Sequence, residues 1–360
     1  MKNVVMRSLA ILILSAVLAA VGCGKQDSSG QAGSGGDGAT TEPAADDRTC
    51  VRGGAKATGL LKIAVIPKGT THEFWKSIHA GALKAEVELK DVDVDWKGPV
   101  KEDDRNDQIS VVENFINAGV AGIAIAPLDN VALVRPVREA TKAGIGVVIM
   151  DSGLSADVCT DYASYVATDN YVGGCKGAER LGEVLGGKGK VIMMRYQEGS
   201  ASTMQREQGF LDTIKKKFPN IELISSDQRG GATTESALAT GENLLNRFKE
   251  VDGIFCPNES TTFGMLLAIQ QSGLEGEVKF VGFDSSEKLI RAMADRQIHG
   301  LVLQDPMNMG YLAVKTLVAY LRGEAVPSRI DTGSVVATPE NMNEPRIKEL
   351  LSPPIDKYLP

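Results

Sequence analysis

Leu61-Lys62-Ile63-Ala64-Val65-Ile66-Pro67-Lys68-Gly69-Thr70-Thr71-His72-Glu73-Phe74-Trp75 carries the chain from an apolar run, through a polar loop, into a segment with helical spacing. The run at 61–66 reads as a buried strand, and 74–89 sets Phe74, Ile78, Ala82, Ala85 and Leu89 on one helical face. The same unit recurs downstream. Strands are expected at 92–96, 121–126 and 146–150, with helices at 107–118 and 132–143 between them. The rhythm restarts with helices at 171–185, 204–218, 236–248, 262–272, 288–295 and 309–321. Strands at 190–194, 221–225, 253–256, 278–283 and 299–303 alternate with these. Repeated strand–helix units imply parallel sheets with helices on both faces, because each right-handed crossover packs its helix back on the sheet. The fold class is therefore α/β, and two such runs imply two similar lobes. Ligands of open α/β sheets bind beyond the carboxyl ends of the strands, so the polar residues just after each strand are the functional candidates.

Upstream of this region the chain has a different character. Residues 1–7 carry two positive charges, and 9–21 is an almost unbroken apolar run ending at Gly22-Cys23. That is the pattern of a secretion signal over 1–22, with Cys23 as the lipidated first residue of the mature chain. The run is too short for a confident membrane span, which needs about 20 residues. Residues 24–59 are rich in Gly, Ser, Ala, Asp and Thr and nearly lack large apolar side chains, so 23–59 is expected to be a flexible tether. Such a segment spans on the order of 30–35 Å. The 39 Lys and Arg against 46 Asp and Glu leave no basic footprint for nucleic acid. Cys50, Cys159, Cys175 and Cys256 match no zinc spacing; an exported chain permits disulfides, but the pairing is not legible.

After the first strand, Phe74 and Trp75 are adjacent aromatics at a helix start. Either both are core residues or one offers a sugar the flat apolar face on which its C–H groups stack. Lys68 and His72 in the same loop are either solvated or in contact with a ligand. Asp151 follows the strand at 146–150 and can accept two hydroxyls through charge-assisted bonds, or cap the following turn. Asn258-Glu259 and Asp284 follow two further strands. Arg206 opens a helix after a small-residue loop, and its fork of donors suits vicinal hydroxyls unless it lies at the surface. Gln304 follows the strand at 299–303, where the chain would cross between lobes.

The order Phe74-Trp75, Asp151, Ala167-Thr168-Asp169-Asn170 with Gly173-Gly174, Arg206-x-x-Gly209-Phe210, Asn258-Glu259, Val281-Gly282-Phe283-Asp284 and Gln304 resembles the ribose-binding type of type I periplasmic binding proteins. The resemblance covers nearly everything from Leu61 to about Val336. It implies two Rossmann-like lobes with parallel sheets flanked by helices, joined by a three-segment hinge. The crossings would lie near Asp169-Asn170, near Gln304-Asp305 and at 332–336. The first lobe would comprise 60–168 plus 305–333, and the second 169–304 plus 334–360. Phe74 and Trp75 would sandwich a sugar with an aromatic from the other lobe. Lys68, His72, Asp151, Arg206, Asn258, Asp284 and Gln304 complete the expected ligand-binding set, with no catalytic residue, cofactor or metal.

Four positions depart from the ribose pattern. Ser152 follows Asp151 where ribose binders have arginine, Lys68 and His72 replace small or amide residues, and an aromatic near Gly230 is missing. A pentose, a hexose, a polyol such as inositol, or an acidic derivative paired with Lys68 all remain open. The function expected is that of a monomeric, lipid-anchored receptor of the cell envelope or periplasm that hands a sugar or polyol to an ABC permease. A sensor presenting its ligand to a membrane receptor kinase is the alternative within this fold. An exported sugar-active enzyme has little support: no Gly-x-Ser-x-Gly elbow is present, and His72, His79 and His299 show no partner spacing.

Overall fold

The computed structural model describes residues 48–53 and 56–359. The expected signal at 1–22, the lipidation site Cys23 and the tether up to residue 47 lie outside the described residues.

The elements, in chain order, are β1 (Thr49–Cys50), β2 (Leu61–Ile66), α1 (Glu73–Leu89), β3 (Val92–Trp96), α2 (Arg105–Ala118), β4 (Gly122–Ile125), α3 (Val134–Lys142), β5 (Gly146–Met150), β6 (Ser164–Ala167), α4 (Asn170–Val184), β7 (Lys188–Met193) and α5 (Ala201–Lys217). They continue as β8 (Asn220–Ser225), α6 (Thr234–Arg247), β9 (Gly253–Phe255), α7 (Glu259–Gln271), β10 (Lys279–Phe283), α8 (Glu287–Ala294), β11 (Gly300–Leu303), α9 (Pro306–Leu321), β12 (Val326–Pro327), β13 (Arg329–Asp331), β14 (Val335–Ala337) and α10 (Pro345–Leu351).

Among the described residues these strands form two six-stranded sheets and a two-stranded one, β1 with β12. The first has the order β3-β2-β4-β5-β6-β13 and is parallel throughout. The second has the order β8-β7-β9-β10-β11-β14, parallel except for the antiparallel edge strand β14. Helices cover both faces of each sheet, so the central strands are buried on both sides and read as apolar runs; Ile63, Val65, Val148 and Ile149 are all inaccessible. One apolar cluster fills the first lobe around α1, α9 and its sheet, and two clusters fill the second lobe on opposite faces of its sheet.

The chain passes between the sheets at three places: between β6 and α4, between β11 and α9, and between β13 and β14. The third crossing is shorter than expected, because Val335 and Val336 already belong to β14. The first and third crossings are tied together. Asp331 accepts the amides of Asp169 at 3.0 Å and Gly333 at 2.8 Å, and Thr168 Oγ1 lies 3.3 Å from Thr332 Oγ1.

One expectation is corrected at the start of the body. The flexible segment does not extend to residue 59, because Thr49–Cys50 pairs antiparallel with β12 and Cys50 forms a disulfide with Cys159. The pairing partner lies far along the chain, so local composition carries no trace of it. Cys175 and Cys256 are buried thiols outside that disulfide.

Candidate functional site

Both sheets point the carboxyl ends of their strands toward the same gap, and the loops leaving those ends line one pocket. Two of these loops share a backbone device. Asp151, directly after β5, and Asp284, directly after β10, both adopt left-handed conformations, with φ of 60° and 66°. Aspartate tolerates this region better than most side chains. The turn redirects each carboxylate from the strand into the pocket, at a conformational cost of roughly 1–3 kcal/mol that the surroundings must sustain.

The pocket has a cavity volume of about 30 Å³, room for a water or two, so in this arrangement the lobes are drawn in tightly on the site. It is lined by Lys68, His72, Phe74, Trp75, Asp151, Arg206, Asn258, Asp284 and Gln304, so the structure brings every residue of the expected set together. Glu102, Tyr196, Ser202 and Thr203 complete the lining outside the expected set, together with Glu259, noted at its strand end beside Asn258 but not included in that set. Tyr196 is the aromatic that the second lobe contributes, from the end of β7 rather than from the neighbourhood of Gly230. Its main-chain N–H donates to the buried Glu207 at 2.9 Å, which fixes the strand end.

Lys68 is buried in the pocket wall rather than solvated. Its ammonium group has three donors, and these meet Asp151 at 3.0 Å, Ser202 at 2.9 Å and Ser200 at 3.3 Å. Asp151 belongs to the first lobe and the serines to the second, so Lys68 ties the two together. Asn258 is also engaged: its Oδ1 caps α7 by accepting the Thr261 main-chain N–H at 3.4 Å, it accepts from Thr261 Oγ1 at 2.6 Å, and its Nδ2 donates to Ser260. The plainer reading of Asn258 as a loop cap thus holds beside its place in the pocket wall.

Glu102 gathers three side chains. Its Oε1 accepts from Trp75 Nε1 at 2.7 Å and lies 2.5 Å from His72 Nδ1, and its Oε2 accepts from the Tyr196 hydroxyl at 2.6 Å. Burial alone would raise the Glu102 pKa, but the charge and hydrogen bond of His72, with help from Lys68 and Tyr196, hold it at about 2. Burial would lower that of His72, yet the charge and hydrogen bond of Glu102 raise it to about 9. The Trp75 ring stands edge-on to Phe74, 87° between planes and 5.0 Å between centroids.

Across the pocket, Glu259 accepts the main-chain N–H groups of Phe74 at 3.0 Å and Glu73 at 3.2 Å. His72, the N-cap of α1, makes no side-chain cap of its own. The first turn of a first-lobe helix is therefore capped by a second-lobe carboxylate, where orphan N–H groups and the helix dipole favour negative charge. Burial dominates the Glu259 carboxyl and raises its pKa to about 7, against the lowering effects of His72 and the Phe74 amide.

Arg206 is 2% exposed and stacks on the Phe283 ring at 4.0 Å. Its Nε donates to Asn170 at 2.8 Å and its Nη1 to the Pro257 carbonyl at 3.0 Å, with Asp284 4.0 Å away. Asp284 accepts Gln304 Nε2 at 2.7 Å and the Glu259 amide at 3.0 Å; its pKa is raised, burial outweighing Arg206. Arg206 Nη2 and Gln304 Oε1 are buried without a hydrogen-bond partner, leaving a donor and an acceptor on the second-lobe and hinge side.

Residues 63–325 match the model of a family described as a periplasmic binding protein domain. The chain is 30% identical over 277 residues to the D-allose-binding periplasmic protein of Escherichia coli (strain K12), covering 75% of this chain and 88% of that protein. It is similar to the solved structure of a carbohydrate transporter solute binding protein from Agrobacterium radiobacter in complex with D-arabinose. There the TM-score is 0.78 and the identity 33%, covering 82% of this chain and 100% of that one. An ABC transporter solute binding protein from Agrobacterium vitis with bound D-fucose aligns with a TM-score of 0.78 and 35% identity, covering 81% and 99% respectively.

The position of Arg206 depends on a close helix contact. A Cβ built on Gly174 in α4 would lie 1.9 Å from the Arg206 carbonyl oxygen, and one on Gly209 in α5 would lie 2.1 Å from that of Tyr171. Gly174→Ala must force these helices apart and is expected to cost about 1–3 kcal/mol of stability, read as a lowered urea midpoint. An unchanged midpoint would show that the contact is not needed.

Proposed function

The chain belongs to the periplasmic binding protein family, and on that premise we propose that it is a solute-binding protein that closes its two lobes on a neutral monosaccharide or polyol. The observation that carries this reading is the unmatched pair of Arg206 Nη2 and Gln304 Oε1. A hydroxyl group both donates and accepts, so one polyol can satisfy both atoms, and each buried polar atom left unpaired costs roughly 1–3 kcal/mol.

Charge distinguishes the neutral ligand from an acidic one. Lys68, His72 and Arg206 share the pocket with Glu102, Asp151, Glu259 and Asp284, and Lys68 and His72 are already paired at 3.0 and 2.5 Å. No cation is left in surplus for a carboxylate ligand. The related proteins named for D-allose, D-arabinose and D-fucose support a neutral sugar.

Closure supplies the mechanism of delivery. A ligand shifts an open and closed equilibrium only by its differential affinity for the closed form, and the pocket side chains divided between the lobes provide that difference. The closed form is then the one presented to an ABC permease, with no covalent chemistry on the ligand. The Cys50–Cys159 disulfide supports an oxidising location such as the periplasm, and Gly22-Cys23 after an apolar run supports attachment of the monomer to a membrane by lipid.

Calorimetry against D-allose, D-ribose, D-arabinose, D-fucose and myo-inositol, with D-galacturonate as the acidic comparison, tests the ligand class. At least one neutral compound is expected to bind, and Arg206→Ala and Asp284→Ala are each expected to lose about 2–5 kcal/mol of its affinity. Binding of the uronate alone, or losses below threefold in both variants, would contradict the reading. For the anchor, Cys23→Ser is expected to move the protein from the membrane fraction to the soluble one; unchanged fractionation would contradict it.

A further inference from the structure

Glu102 sits on the loop between β3 and α2, in the run Lys101-Glu102-Asp103-Asp104 whose other members are exposed. It is 5% exposed and faces three donors: Trp75 Nε1, His72 Nδ1 and the Tyr196 hydroxyl. An ionised carboxylate can accept from all three, whereas a protonated one gives up acceptor capacity. A buried carboxylate also needs a counter-charge. Lys68 is held by Asp151 and two serines, which leaves His72, 2.5 Å from Glu102, to supply it. Nδ1 of His72 is taken by Glu102 and the residue lines the pocket, so the other ring nitrogen is the one left for a ligand.

We infer that Glu102 is a positioning residue that holds His72 as a permanent hydrogen-bond donor at the first-lobe wall, so that the ligand must place an oxygen lone pair there. This rests on the sugar-binding reading above. It adds a rule of selection: a ring or hydroxyl oxygen is accepted at that position, and a protonated amino group is rejected by charge and by the lack of an acceptor. The groups sharing the pocket with the ring are Lys68, Glu102 and Asp151 from the first lobe, and Tyr196, Arg206, Glu259 and Asp284 from the second. Glu259 and Asp284 add to the attraction of Glu102 for the imidazolium, so the donor is present below pH about 9 and lost as the pH rises through that value.

The test uses the full chain carrying ¹³C-labelled histidine, with the His72 ring signal identified by its loss in His72→Asn. Wild-type His72 is expected to be imidazolium at pH 8, and Glu102→Gln to let it titrate in the ordinary histidine range and be neutral there. With whichever neutral sugar of the panel binds, Glu102→Gln should lose about tenfold more affinity than the wild type between pH 6 and 8, the titration of Glu259 near pH 7 being common to both. Where Glu102→Gln does not fold, His72→Asn carries the second arm: the wild type should show a step in affinity near pH 9 that this variant lacks. A wild-type His72 that is neutral at pH 8 overturns the inference even if no sugar binds, and that failure is separate from the failure of the sugar reading. Matching pH profiles of wild type and variant overturn it as well.

Discussion

A buried charge must be paired, and in this protein the pairing is completed across the gap between two lobes. Lys68 bridges Asp151 of the first lobe to Ser200 and Ser202 of the second. Glu102 of the first lobe takes the hydroxyl of Tyr196 from the second. In the opposite direction, Glu259 caps the first turn of α1. Each of these groups would face water with the lobes apart, and each is satisfied by protein with the lobes together. The pocket is therefore a property of the closed arrangement, and removing one partner of such a set leaves the other buried and uncompensated.

The fold makes that arrangement reachable with little rearrangement inside either lobe. Each lobe has its own core and sheet, and among the described residues three chain segments pass between them. Asp151 and Asp284 occupy the same place in their respective lobes, one residue past a central parallel strand and in a left-handed turn. A short loop there suffices to aim a carboxylate, because the strand behind it is locked on both sides by its neighbours. The same logic explains why Arg206 needs Gly174: the arginine lies on a helix whose backbone touches the next helix, so its fork is placed by main-chain contact as well as by its own bonds.

The repeating strands and helices were legible because strands buried on both faces leave continuous apolar runs, as at Leu61–Ile66 and Gly146–Met150. β6 was missed because Ser164–Ala167 is short and polar at its start, and β1 and β13 because their partners are distant in sequence. α5 and α7 begin three residues earlier than their apolar spacing suggested, since small and polar residues fill their first turns. At the site, Asp151, Asp284 and Arg206 could be located because each follows or opens a recognisable element. Glu102 was hidden in a charged run that reads as a solvated loop. Tyr196 was accessible in principle, since it obeys the same strand-end rule that singled out Asp151. What the sequence could not convey was partnership: nothing in it says that Lys68 meets Ser202 or that Glu259 caps a helix of the other lobe.

Closure around the ligand is the claim on which the others turn, and small-angle X-ray scattering of the protein freed of residues 1–47 measures it directly. With a saturating neutral sugar from the panel, the radius of gyration is expected to fall, because side chains divided between the lobes cannot all be satisfied by either one alone. A radius unchanged by saturating ligand would contradict the account, placing the ligand on a single lobe or the cleft in a permanently closed state.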